Sequence, residues 1–196
     1  MLGINDTNIT GMGIPRLVPG LAAWYRAADI PNVVHDNPVG EWPDISGHGH
    51  NLLQATPASQ PLFKTNVKNG RPGVYFDGID DFMQSLTLSL TQPCTYFVVF
   101  DTDDATATDI IIDGTDGINR HVITGSGVSG DLYMYAGVIL YSGVPHPTSN
   151  TILLRSTFNS IDSAISVNGG APIIGDVGTQ NIPNGITVGM HNDKTS

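Results

Sequence analysis

Glutamate and lysine, the residues that fill exposed helix faces, are nearly missing from this chain. Glu41 is the one glutamate, and Lys64, Lys68 and Lys194 are the lysines. The other seventeen acids are aspartates, which prefer turns because the short side chain bonds nearby backbone. Long amphipathic surface helices are therefore not written anywhere. Cysteine occurs once, as Cys94, which excludes an internal disulfide. It sits in the apolar run Cys94-Thr-Tyr-Phe-Val-Val-Phe100 and reads as a small buried core residue. No stretch approaches the ~20 apolar residues of a membrane-spanning helix. The first residues, MLGINDTNITGMG, have neither the basic nor the apolar region of a secretory signal. The expectation is a soluble chain made in the cytoplasm.

Positive charge is also scarce. Eight Lys and Arg face eighteen acids, for a formal net charge of −10. Nucleic-acid affinity comes largely from cations neutralising phosphate, and Arg16, Arg26, Arg71, Arg120 and Arg155 are scattered along the chain. Nucleic acid and membrane insertion are both excluded as expected partners.

Glycine and proline are plentiful instead, at 23 and 13 residues. They punctuate short runs of β-branched and aromatic residues, at the spacing of an antiparallel sandwich. Residues 1–19 lack periodicity and read as an extended arm or linker. Residues 20–196 read as one β-sandwich domain with little helix. Strands are expected over residues 21–27, 40–43, 51–55, 72–77, 82–90, 95–101, 109–113, 119–124, 131–135, 138–142, 151–159, 164–168 and 186–190. The unbroken apolar character of 95–101 and 109–113 predicts fully buried strands. Asn168-Gly-Gly170 predicts a tight turn, since Asn and Gly tolerate positive φ.

Between residues 18 and 82 these elements form a pattern. The pieces are Val18-Pro-Gly-Leu-Ala-Ala-Trp-Tyr-Arg-Ala-Ala-Asp29, Trp42-Pro-Asp-Ile-Ser-Gly-His-Gly-His-Asn51, Asn69-Gly-Arg-Pro72 and Val74-Tyr-Phe-Asp-Gly-Ile-Asp-Asp-Phe82. In kind and order they resemble the laminin-G-like, concanavalin A-like domains of bacteriophage structural proteins and bacterial surface proteins. The resemblance implies a two-sheet antiparallel jelly roll. It also implies a closing strand of Gly-x-Ile-x-Glu-Ile type after Gly189, a motif this sequence does not show, so one sheet edge is expected to be open or completed by another segment.

Sites are sparse. Asp77, Asp80 and Asp81 carry the oxygen ligands that Ca²⁺ takes; the same residues make a hairpin turn, and the turn is the preferred reading. Asp44 is expected to cap the turn at Ser46-Gly47. Asp101, Asp103, Asp104 and Asp109 read as a solvated loop. Trp24, Trp42, Tyr25, Tyr133, Tyr135 and Tyr141 are the aromatics able to stack on a sugar ring, and strand alternation is expected to turn most of them to the core or half-core. Tyr141, beside the loop containing His146, is kept as the candidate surface aromatic, and Tyr141 with His146 as the candidate ligand contact. Glycosidases need two carboxyl groups at a set separation; a lone glutamate rules out a pair of glutamates and leaves only a pair of aspartates open, so no catalytic residue and no resident cofactor are expected. The leading expectation is a non-enzymatic structural or adhesive module of a virus particle, such as a bacteriophage tail, fibre or capsid-surface protein. Its partners would be neighbouring subunits and a host-surface glycan. The rival is a carbohydrate-binding module of a bacterial surface protein, and the least favoured reading is a polysaccharide hydrolase.

Overall fold

A computed structural model describes residues 18–102, 110–125, 130–145 and 151–189. These residues form fourteen strands and three single-turn 3₁₀ segments, Ala27–Asp29, Pro57–Ser59 and Ser160–Asp162. Every strand pairing is antiparallel. About 44% of the described residues are strand, so the all-β, helix-poor expectation holds. Residues 1–17 of the expected arm at 1–19 and the candidate His146 lie outside the described residues, as do Asp103, Asp104 and Asp109.

The larger sheet has eight strands. In chain order these are β1 (Glu41–Trp42), β2 (Leu52–Leu53), β5 (Met83–Ser85), β7 (Ile110–Gly114), β8 (Val122–Gly125), β9 (Asp131–Tyr135), β10 (Ile139–Pro145) and β14 (Ile186–Val188). Across the sheet the order is β1-β2-β5-β14-β7-β8-β9-β10. The last described strand, β14, therefore lies in the interior, joining two halves of the sheet. A four-stranded sheet runs β13-β12-β11-β6, from β6 (Cys94–Phe100), β11 (Ile152–Phe158), β12 (Ser163–Val167) and β13 (Ile173–Gly175). β3 (Leu62–Lys68) and β4 (Arg71–Tyr75) make a separate hairpin.

Period-two alternation decides what each sheet buries. On the large sheet Ile112, Ile123, Leu132 and Met134 point inward. They meet Ile152, Leu154, Phe158 and Ile165 of the small sheet in one core cluster. A second cluster joins Leu52, Met83 and Ile186 of the large sheet to Phe63 of the hairpin, with Ile30, Val39, Leu88 and Ile182 from loops. This layering is consistent with a β-sandwich.

Several elements differ from expectation. Residues 21–26 form no regular strand, but their backbone is tied to the Asp44 turn through Trp24 N–H to Asp44 Oδ1 and Ile45 N–H to the Trp24 carbonyl. β3 and β13 were not anticipated. β6 is not a fully buried strand: it is the edge of the small sheet, with Phe97 and Val99 exposed. Cys94 is free, as expected, but only half-buried, because its strand is that edge.

Candidate functional site

The first candidate, the Asp77-Gly-Ile-Asp-Asp81 segment, is a turn held by its own carboxylates. Asp77 Oδ1 accepts hydrogen bonds from the backbone N–H groups of Ile79, Asp80 and Asp81, and Asp81 Oδ2 accepts that of Asp77. Asp80 Oδ2 accepts from the Ser59 hydroxyl. The backbone donors hold the Asp77 carboxyl below its ordinary pKa, whereas burial, aided by its acidic neighbours, pushes Asp81 up. One oxygen from each of the three acids lies within 4.8 Å of the others. That spacing suits a hard cation, yet the oxygens already serve the turn.

Asp44 caps its turn as expected. Its carboxylate accepts from the backbone N–H groups of Trp24, Ser46 and His50 and from the Ser46 hydroxyl. Asn51 Oδ1 in turn accepts the Asp44 N–H. Asn51 Nδ2 donates to Glu41 Oε1 at 2.6 Å, so the single glutamate serves this loop.

His121 lies in the core, and the half-buried Cys94 packs against it. The His121 ring is fully buried and stacks on Phe158 with centroids 4.3 Å apart. Its Nε2 lies 2.7 Å from the Gln180 carbonyl and must donate to it, which leaves Nδ1 to accept from the Tyr96 hydroxyl at 3.0 Å. Burial lowers its pKa from 6.5 to about 4, so the ring is neutral at pH 7. Burial also pushes the Cys94 thiol up to about 11, the opposite of what a nucleophilic thiolate needs. These groups fill and lock the core.

The outer face of the large sheet carries more interesting chemistry. Strand register places Glu41, Leu53, Gln84, Thr187 and Asp113 in one row across five strands. Thr124, Tyr133 and Tyr141 make a second row, and Val122, Tyr135 and Ile139 a third. All lie on the face opposite Leu52, Met83, Ile123 and Met134, which point into the core. Asp113, Thr124, Thr187 and Val122 are nonetheless buried there, and Glu41, Leu53, Ile139 and Tyr141 are the exposed members. The Arg120 guanidinium clamps the fully buried Asp113 through two bonds, Nε to Oδ1 at 3.2 Å and Nη2 to Oδ2 at 2.7 Å. The same guanidinium stands 6.0 Å from the Tyr135 ring centroid, within cation–π range. Tyr133 and Tyr141 meet at 5.6 Å with their planes tilted by 60°. Burial, with Tyr141 second, raises the Tyr133 pKa. Tyr141, the candidate surface aromatic, is 42% exposed. Tyr133 and Tyr135 are half-buried, within the core or half-core expectation, and Arg120, in the sequence one of five scattered arginines, was given no role. For the tyrosines, alternation in Asp131-Leu-Tyr-Met-Tyr135 was the available signal, since the leucine and methionine take the core side and leave both tyrosines on the other.

Of the remaining aromatics, Tyr25 and Trp42 pack edge to face at 6.1 Å against the second core cluster. Trp24 is half-buried with Arg26 over its ring. Comparison with known proteins gave no match: no family model, no curated protein and no solved structure is similar to this chain.

Proposed function

We propose that this chain is a non-enzymatic adhesion module of a virus particle, a concanavalin A-like jelly roll that offers the outer face of its eight-stranded sheet to a host-surface glycan. The observation that carries the reading is the tyrosine group on that face. A tyrosine pairs a broad apolar ring with a polar rim, which matches the apolar faces and hydroxyl edge of a sugar ring. Tyr141 and Tyr133 supply such rings side by side, and Arg120, held by Asp113, stands over the Tyr135 ring beside them. A rigid, preorganised aromatic surface loses little entropy on binding.

The spacing of the acids on this face supports binding over hydrolysis. Glu41 and Asp113 share a row but stand four strands apart, about 19 Å at ~4.8 Å per strand. Glycosidic cleavage wants two carboxyl groups about 5–9.5 Å apart. Arg120 also occupies both oxygens of Asp113. The particle setting is supported by the sequence resemblance and by the acidic, cysteine-poor composition.

The test is a glycan array probed with the protein, beside Tyr141→Ala and Tyr133→Ala variants and immunolocalisation on particles. The expected result is a small set of glycan hits, weakened at least tenfold in either variant with circular dichroism unchanged, and label on the particle. Release of reducing ends from a polysaccharide would overturn the non-enzymatic reading. An empty array would overturn the glycan reading.

A further inference from the structure

Three of the four edges of the two main sheets are protected. β1 is two residues long and β13 three. β10 breaks register between Tyr141 and Pro145, with Gly143 at positive φ and a proline at its end. Short strands, bulges and proline are the devices by which sheets avoid edge-to-edge pairing. β6 has none of them. It is seven residues long and pairs with β11 in unbroken register from Cys94↔Phe158 to Phe100↔Ile152. It contains no charge and no proline. Among the described residues, no strand pairs with its other side. Every second residue of β6 therefore directs its N–H and C=O to an open edge. The outer face beside that edge is apolar as well: Phe97 is 70% exposed, Val99 67%, and Leu153, opposite Val99, 45%.

We infer that this edge pairs with the same edge of a second copy, β6 against β6, antiparallel about a twofold axis at Phe97. The sequence of the strand is compatible with its own reversal. Centred on Phe97, residue 94 meets 100, 95 meets 99 and 96 meets 98, so all seven residues pair. Because each pair sums to an even number, outward side chains meet outward ones and inward meet inward. Phe97 lies against its equivalent and Thr95 against Val99, the aromatic and β-branched cross-strand contacts that stabilise sheets. On the inner side Tyr96 lies against Val98. The two four-stranded sheets become one of eight, and an isologous contact of this kind closes without leaving a new edge to propagate.

Charge selects the occupant and the region. Each copy carries −10, and two such molecules repel. On the rows Thr95–Thr157–Ala164, Phe97–Arg155–Ser166 and Val99–Leu153, however, the one ionised group is Arg155. The β6 face is thus an acid-free strip on an acidic molecule, where two copies can approach. Repulsion between the rest of their surfaces is screened over ~10 Å at 0.1 M salt, so pairing strengthens as salt is added.

The experiment is sedimentation equilibrium of the full chain from 20 to 500 mM NaCl, for the native protein and for Val99→Lys, Thr95→Lys and Ile118→Lys. The proposal expects a dimer whose dissociation constant falls several-fold with salt. It expects at least tenfold weakening in the two β6 variants and no change in Ile118→Lys, whose exposed side chain lies in the β7–β8 loop. A geometric readout is independent of those variants. Phe97→Cys places a thiol on the twofold axis and is expected to form a disulfide-linked dimer under oxidised glutathione. The native protein, whose Cys94 faces the core opposite Phe100 of the other copy, stays unlinked. A monomer at every salt concentration overturns the proposal, as does a dimer indifferent to Val99→Lys, or Phe97→Cys that does not cross-link. Loss of the dimer on deleting residues 1–17, with Val99→Lys neutral, would instead assign the contact to the arm.

Discussion

His121 shows how one ring joins packing to pH. It stacks on Phe158, meets Tyr96 edge to face at 5.9 Å, and bonds both its nitrogens, so it fills the role of an aromatic core residue with two polar anchors. In the folded chain it resists protonation down to about pH 4, whereas the unfolded chain takes up the proton near 6.5. Between those values the unfolded state binds more protons. Folding stability contributed by the neutral ring is therefore complete above about pH 6.5 and is lost as pH falls towards 4. The separation corresponds to about 3 kcal/mol. Urea unfolding of the native protein is expected to show most of that loss between pH 7 and 4.5. In His121→Gln the starting stability is lower and the pH slope over the same range nearly flat. An equal slope in the variant would place the acid sensitivity elsewhere.

At the scale of elements, two glycines separate backbone strain from steric exclusion. Gly70, φ +74°, forms with Asn69, φ +51°, the tight turn of the β3–β4 hairpin, and nothing lies within 4 Å of where a Cβ would stand. Gly70→Ala is expected to cost about 1–2 kcal/mol for the left-handed backbone alone. Gly185, φ +114°, leads into β14, and a Cβ there would fall 1.9 Å from the Ser85 carbonyl oxygen. Gly185→Ala is expected to be clearly more destabilising, because β14 must shift against β5. Thermal unfolding of the two variants side by side checks the order. Asn69-Gly70 also marks what was legible. It is the strongest short hairpin signal a sequence offers, but Leu62–Lys68, the strand before it, is largely polar and exposed and shows no clean alternation. β13, three residues with two exposed isoleucines, carries no pattern either. Strands that bury one face, such as β9 and β11, were legible because the core imposes a period of two. β6 was misread because an apolar run looks the same whether two layers cover it or one face is left bare. Of the candidate face, Tyr141 was marked in the sequence and Arg120 was not, because the position of Arg120 depends on register across β7 and β8.

For the whole molecule, the longest helical segment among the described residues is three residues. Far-ultraviolet circular dichroism is expected to show strand with helix below about 15%, against the ~30–35% of an ordinary domain, and a helical spectrum would refute the architecture. The pairing of sequence-distant strands has a cost in time, since such contacts form slowly. β14 makes this acute. It is inserted between β5 and β7, and the segment before it ties Gln180 to Ala136 and Ile182 to Leu90. During synthesis, then, the nascent chain must hold two half-sheets with facing open edges until residues 176–188 have emerged. The strand made last among those described is a keystone. Until it drops into place the ribosome carries an arch in two unsupported halves, each with an open edge.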